Sequence, residues 1–255
     1  MGHFYLPSGE PLYEVIGRDG VRRDATLRDA RRVNAVPGFS CFDQYLAKPH
    51  LDEWKLRQGV LSALTLTRYP GETDEDFVER VLRDSKQQAR DAADEGTRIH
   101  DAIECAMRRI PYPPKYDAHV AATLKLIMDM FPDVHDWIPE ATFAHPNGHG
   151  GKVDVHSPST GIVIDFKGKD GTLDETYENG RPKPLAYDNH AEQLGSYKYG
   201  KRLPDSPCAN IFISRTHPGV VKGHLWEANE IKDAYDDFLS VVKCWQQRKR
   251  YWPKW

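Results

Sequence analysis

From residue 73 to 109 the apolar positions recur every three or four residues. In the second half Ala89, Ala92, Ala93, Gly96, Ile99, Ile103 and Met107 form one stripe, which predicts a long helix with a single inward face. His100 lies on that stripe, and Pro111, Pro113 and Pro114 end it. A second helix is predicted over 117–131, stopping at Pro132. The period then falls towards two. Residues 140–145, 151–155 and 161–167 read as three short strands, with turn signals at Asn147-Gly148 and at 158–161. Residues 168–186 form a polar loop rich in Gly, Pro and charge. A helix over 187–201 follows, then strands over 209–214 and 220–226. The last helix is predicted over 228–250, with Ile231, Ala234, Tyr235, Phe238, Val242 and Trp245 on its core face. Upstream, residues 1–35 predict a short hairpin and a polar helix, with turn signals at Ser8-Gly9 and Asp19-Gly20. Residues 40–66 predict two helices broken at 48–50.

This order of elements predicts an α/β (α+β) fold, a small mixed central sheet flanked by helices. Residues 1–72 are expected to be a hairpin and helical addition packed on a core formed by 73–255. A chain of 255 residues with 39% hydrophobic positions can bury such a core. No run of about 18 apolar residues is present, so no membrane span or membrane partner is expected. The first residues lack the basic-then-apolar layout of a secretory signal, which points to the cytoplasm. The net charge of −3 gives no global case for a nucleic-acid partner, so local clusters must carry one. Cys41, Cys105, Cys208 and Cys244 are far apart and include no CxxC pair, which argues against a zinc ribbon or a compact cluster site.

The chemistry concentrates at the end of the strand GIVIDFKGKD. Residues two apart on a strand share a face, so Asp165 and Lys167 leave the buried apolar run together. Other acid-x-Lys tripeptides start at Glu53, Asp84 and Glu230, but in helical contexts where residues two apart do not face each other. Buried charge needs compensation. Here that is either a mutual salt bridge or a cation together with an anionic substrate. Asp154, on the preceding strand, tilts the balance. A hairpin would set it beside Asp165, and two close carboxylates repel unless a hard divalent cation such as Mg²⁺ intervenes. Lys167 would then hold a water or offset phosphate charge, as metal-assisted phosphodiester hydrolysis requires. His100 is either a third ligand or a hydrogen-bonded core histidine. Glu104, four residues on, either orients His100 or is exposed. Gln193 and Tyr197 share a helix face and read either as rim packing or as partners of Lys167.

Four segments, GTRIHDAIE (96–104), GGKVDV (150–155), IVIDFKGK (162–169) and QLGSY (193–197), occur in an order that resembles the RecB-like branch of the PD-(D/E)XK nucleases. Within it the chain is most similar to the mitochondrial genome maintenance exonuclease-like and phage-type exonucleases. The stretch VPGFSCFDQYLAKPHLDEWKLRQ (36–58) resembles their N-terminal segment, with Leu51, Trp54 and Lys55 fitting. Gly38-Phe39-Ser40 departs from the usual hydroxyl-rich run, and Gly168 replaces a threonine often found after the lysine. The resemblance implies a PD-(D/E)XK core and an Mg²⁺- or Mn²⁺-dependent DNA exonuclease in repair or recombination. It implies His100, Asp154, Asp165 and the Phe166 carbonyl as metal ligands, and Lys167 as the catalytic lysine. It implies Gln193 and Tyr197 as supporting residues, and gives Glu140 an acidic position before the first strand. Related nucleases carrying a four-cysteine iron–sulfur cluster have a cysteine arrangement this chain lacks, so no cluster is expected.

For DNA contact the candidates are Lys169, Arg181 and Lys183 in the loop after the strand, and Arg248, Lys249, Arg250 and Trp252 near the C-terminus. The stretch KCWQQRKRYWPKW (243–255) interleaves basic and aromatic residues, as single-stranded nucleic acid or free DNA ends would suit. A helix end capped by basic residues, with tryptophans packed on the body, accounts for it equally. A replication or recombination protein would be a further partner. An endonuclease on the same core and a non-catalytic DNA-binding module are the alternatives. The joint presence of His100, Asp154, Asp165 and Lys167 argues against the second.

Overall fold

The computed structural model describes residues 3–42, 45 and 49–255. It divides into two compact units, Met1–Leu46 with Ile99–Trp255, and Ala47–Arg98. The first unit opens with two hairpins rather than one. β1 (Phe4–Tyr5) pairs with β2 (Pro11–Leu12), and β3 (Glu14–Ile16) pairs with β4 (Arg22–Asp24). Each turn signal has its own hairpin: Gly9 and Gly20 both have the positive φ that glycine accepts without strain. The polar helix α1 (Leu27–Arg32) follows, closed by a capping box in which Asp29 accepts from the Thr26 backbone N–H at 2.9 Å. β5 (Val36–Pro37) returns to β1, and α2 (Phe39–Phe42) sets Phe39 and Phe42 against Phe238 at 5.3 Å.

The second unit holds α3 (Pro49–Thr65) and the first part of α4 (Asp74–Met107). The expected helix break at 48–50 falls partly outside the described residues; α3 starts at Pro49, a position that suits proline because no helical N–H is lost. Arg80 of α4 grips both oxygens of Glu72, in the link between the helices, at 2.9 Å and stacks over Tyr69.

In the first unit, α5 (Asp117–Met130) precedes the strands β6 (Ile138–His145), β7 (His149–His156) and β8 (Val163–Lys169). Then come α6 (Asp188–Gly200), β9 (Cys208–Ser214), β10 (Val221–Trp226) and α7 (Ala228–Lys249). The strands form one five-stranded sheet in the order β10-β9-β8-β7-β6. Only β8 and β9 run parallel, because the loop and α6 intervene between them; the other neighbours are antiparallel. The mixed α+β architecture expected from the hydrophobic pattern is the one observed.

Alternate residues of β8 serve opposite sides. Ile164 and Phe166 join Ile99, Ile103, Val120 and Ile127 on one side, and Val163 joins Leu194 and α7 residues such as Phe238 on the other. α6 lies so close to α7 that a methyl group on Gly195 would meet the Ile231 carbonyl oxygen at 2.9 Å and the Tyr235 Cβ at 3.1 Å. Gly195→Ala is therefore expected to lower stability by about 1–3 kcal/mol through forced separation of the helices, measured by urea unfolding.

His149 is fully buried among Phe143, Tyr235 and Phe238. Burial lowers its pKa from 6.5 to about 3. The unfolded chain then binds this proton between pH 6.5 and about 3 while the fold does not, so stability falls as pH drops through that window. At pH 5 this one ring costs about 2 kcal/mol. In His149→Phe, denaturant titrations across pH should show the acid-side loss reduced by about that amount.

Candidate active site

The sheet register brings the acidic residues into line. β6 and β7 pair at Pro139↔Val155 and Ala141↔Val153, which sets Glu140 opposite Asp154. β7 and β8 pair at Val155↔Ile164, which sets Asp154 opposite Asp165. β8 and β9 pair directly at Asp165↔Asn210. Three carboxylates and one amide thus cross four adjacent strands. The ladder between β7 and β8 stops at this row, and the Phe166 N–H instead donates to Asp154 Oδ2 at 2.8 Å.

Asp165 is 2% exposed. Its Oδ2 pairs with Lys167 Nζ at 2.7 Å and accepts from Asn210 Nδ2 at 2.9 Å. Lys167 also donates to Gln193 Oε1 at 2.7 Å, and Gln193 Nε2 donates to the Tyr197 hydroxyl at 2.7 Å. The salt bridge weighed from sequence is therefore present, and so is the contact with the α6 pair. They are compatible because an ammonium has three N–H bonds. Among the described residues two are used, and one remains for a water or a phosphate oxygen. Tyr197 is buried, which holds its pKa well above the usual phenol range and keeps it neutral.

Burial raises the pKa of Asp154 well above the usual carboxylate range, and the neighbouring Asp165 charge pushes it further. His100 sits with its ring edge-on to Phe166 at 5.7 Å. Its Nε2 is buried with no hydrogen-bond partner among the described residues, and burial lowers the ring's pKa, favouring the neutral form. This differs from a satisfied core histidine. Glu104 does not orient it: that carboxylate pairs with Arg108 at 2.8 Å, and Arg108 reaches the Pro139 carbonyl. Glu140 pairs with Lys152 and has a left-handed backbone (φ 56°), a strained conformation for a glutamate.

Among the described residues no group of three or more His, Cys, Asp or Glu side chains converges on a common ion position. The donors nonetheless fit a hard divalent cation in kind. An orphaned imidazole nitrogen and two repelling carboxylates would all be relieved by one.

The outer residues divide. Lys169 donates to the Leu185 carbonyl at 3.0 Å and lies over Tyr187 and Phe212, so it braces the loop. Lys183 pairs with Glu175, while Arg181 is exposed. Arg248 lies over the Tyr45 ring, and Lys249 and Arg250 end α7. Of the C-terminal aromatics, Trp245 and Tyr251 pack inside, with the Tyr251 hydroxyl donating to the Ala35 carbonyl at 2.8 Å. Trp252 stays 52% exposed. Packing on the body thus accounts for Trp245 and Tyr251 and leaves Trp252 outside it. Asn210, and Trp226 whose indole N–H donates to it at 2.8 Å, are site neighbours that periodicity did not single out. Their one sequence signal is an amide inside the otherwise apolar run ANIFI.

No protein-family model matches the chain, and no curated protein matches it. Among solved structures it is similar to an alkaline exonuclease from Laribacter hongkongensis, at 15% identity and a TM-score of 0.33, covering 78% of this chain and 96% of that one. It is also similar to a phage-related exonuclease from Haemophilus somnus, at 11% identity and a TM-score of 0.32, covering 74% and 92%. No helix among the described residues is long and apolar enough to cross a membrane.

Asp154→Asn keeps an acceptor for the Phe166 N–H while removing the buried charge. Without divalent ions the variant should be more stable than the parent by about 1 kcal/mol. Added Mn²⁺ should raise the melting temperature of the parent and not of the variant, as followed by circular dichroism.

Proposed function

We propose that the chain is an Mg²⁺- or Mn²⁺-dependent deoxyribonuclease that hydrolyses phosphodiester bonds, acting as an exonuclease on single-stranded DNA or DNA ends. The observation that carries this reading is the Lys167 ammonium, fixed between Asp165 and Gln193 with one N–H to spare, beside two carboxylates that repel each other. Asp154, Asp165, His100 and the Phe166 carbonyl would hold the cation, which when bound supplies Lewis-acid polarisation of the phosphate.

The rest is the work of the chain's own groups. An ammonium donates only, so Lys167 is not a base. It holds the attacking water by a lone pair, or meets the negative charge that gathers on a non-bridging phosphate oxygen. Gln193 and Tyr197 fix where Lys167 points, which matters because a donor aimed in advance costs no reorganisation during the reaction. Exposed Arg181 and Trp252, with Arg248, Lys249 and Arg250, supply charge and a stacking face for a strand.

End-labelled single-stranded oligonucleotides with each end blocked in turn test the proposal. With Mg²⁺ or Mn²⁺, blocking one end should stop digestion, circular single strands should survive, and Lys167→Ala should lose activity by roughly 10²–10³-fold. Folded protein that leaves linear DNA intact sinks the nuclease reading. Cleaved circles turn it into an endonuclease.

A further inference from the structure

Asp165 receives its second donor from Asn210, a residue on the adjacent parallel strand with no exposed surface. A buried primary amide could face either way, and the two orientations have opposite effects on Asp165. Turned one way it donates to the carboxylate. Turned the other way it points its oxygen at a negative charge. The choice is made on the far side of the amide. Trp226, on β10, directs its indole N–H at Asn210 Oδ1 at 2.8 Å. Indole nitrogen is a donor and never an acceptor. A flipped amide would set N–H against N–H at Trp226 and oxygen against oxygen at Asp165, both in a buried place where neither clash can be relieved by water. The indole is itself held, with the His224 ring against it at 4.4 Å.

We infer that Asn210 is a positioning residue for Asp165, with Trp226 locking its amide, and that the pair turns the carboxylate so that Oδ2 is filled and Oδ1 is left for a cation to use. Oδ2 takes Asn210 and Lys167 together. Oδ1 has no hydrogen bond among the described residues. The relay Trp226–Asn210–Asp165–Lys167–Gln193–Tyr197 is then continuous, each link between 2.7 and 2.9 Å. It ties the cation carboxylate and the lysine to one rigid frame reaching from β10 to α6. The inference rests on the reading of Asp165 as a cation ligand.

Calorimetric titration of the full chain with Mn²⁺, without DNA, separates the two. Trp226→Phe keeps the aromatic packing and removes the indole N–H. Asn210→Val keeps a strand-forming residue and removes the amide. Each should weaken Mn²⁺ binding about 10-fold, the size expected when a partner orienting a metal ligand is lost. Trp255→Phe, which removes an indole bond to the Asn34 carbonyl elsewhere, should leave it unchanged. Folded Trp226→Phe and Asn210→Val that bind Mn²⁺ as the parent does overturn the positioning role while leaving the cation site standing. A parent that binds no Mn²⁺ removes the cation reading itself. If neither variant folds, hydrogen exchange of the parent's indole N–H groups decides. A Trp226 proton that exchanges as fast as that of half-exposed Trp252 overturns the lock, and a protected one supports it.

Discussion

A carboxylate with almost no exposed surface organises this fold. Asp165 sits at the end of an apolar strand, where an uncompensated charge would cost several kcal/mol. Two donors meet one of its oxygens, and each must be delivered from a different element. Lys167 comes from the same strand two residues on, Asn210 from the parallel neighbour β9. The parallel pairing needs the long connection through α6, and α6 in turn brings Gln193 and Tyr197. The demand of one buried charge is thus met by strand order, crossover and helix placement together.

Asp154 is different in kind. It takes one backbone N–H, faces Asp165 across the register, and has its ionised form disfavoured by burial and by that neighbour. His100 adds a buried nitrogen with no partner among the described residues. The row from Glu140 to Asn210 therefore holds groups whose demands are met inside the protein and groups whose demands are not. Unmet polar demand beside a row of carboxylates is how a stable core leaves room for an outside ligand.

Much of this could be read from the chain. Lys167 and Asp165 share a face because a strand alternates with period two, and Gln193 and Tyr197 share one because a helix turns every 3.6 residues. The helical and strand runs from residue 74 onward are long enough for periodicity to speak clearly. The opening residues were harder. Strands of two or three residues, such as Phe4–Tyr5 and Glu14–Ile16, give no repeat to detect, so two hairpins read as one.

Local spacing determined which residues stand together on one element, and with them the fold class, the Asp165–Lys167 pair and the helical pairing of Gln193 with Tyr197. It could not decide what faces each element. Whether the Asp165–Lys167 pair was a salt bridge or part of a larger site had no answer within the strand, since the lysine's second donor reaches Gln193, far along the chain. Glu104, placed by spacing beside His100, was taken by Arg108. Asn210 and Trp226 entered only through the β8–β9 register and the return of β10, because a hydrogen bond between strands depends on register, and register is set by the whole sheet.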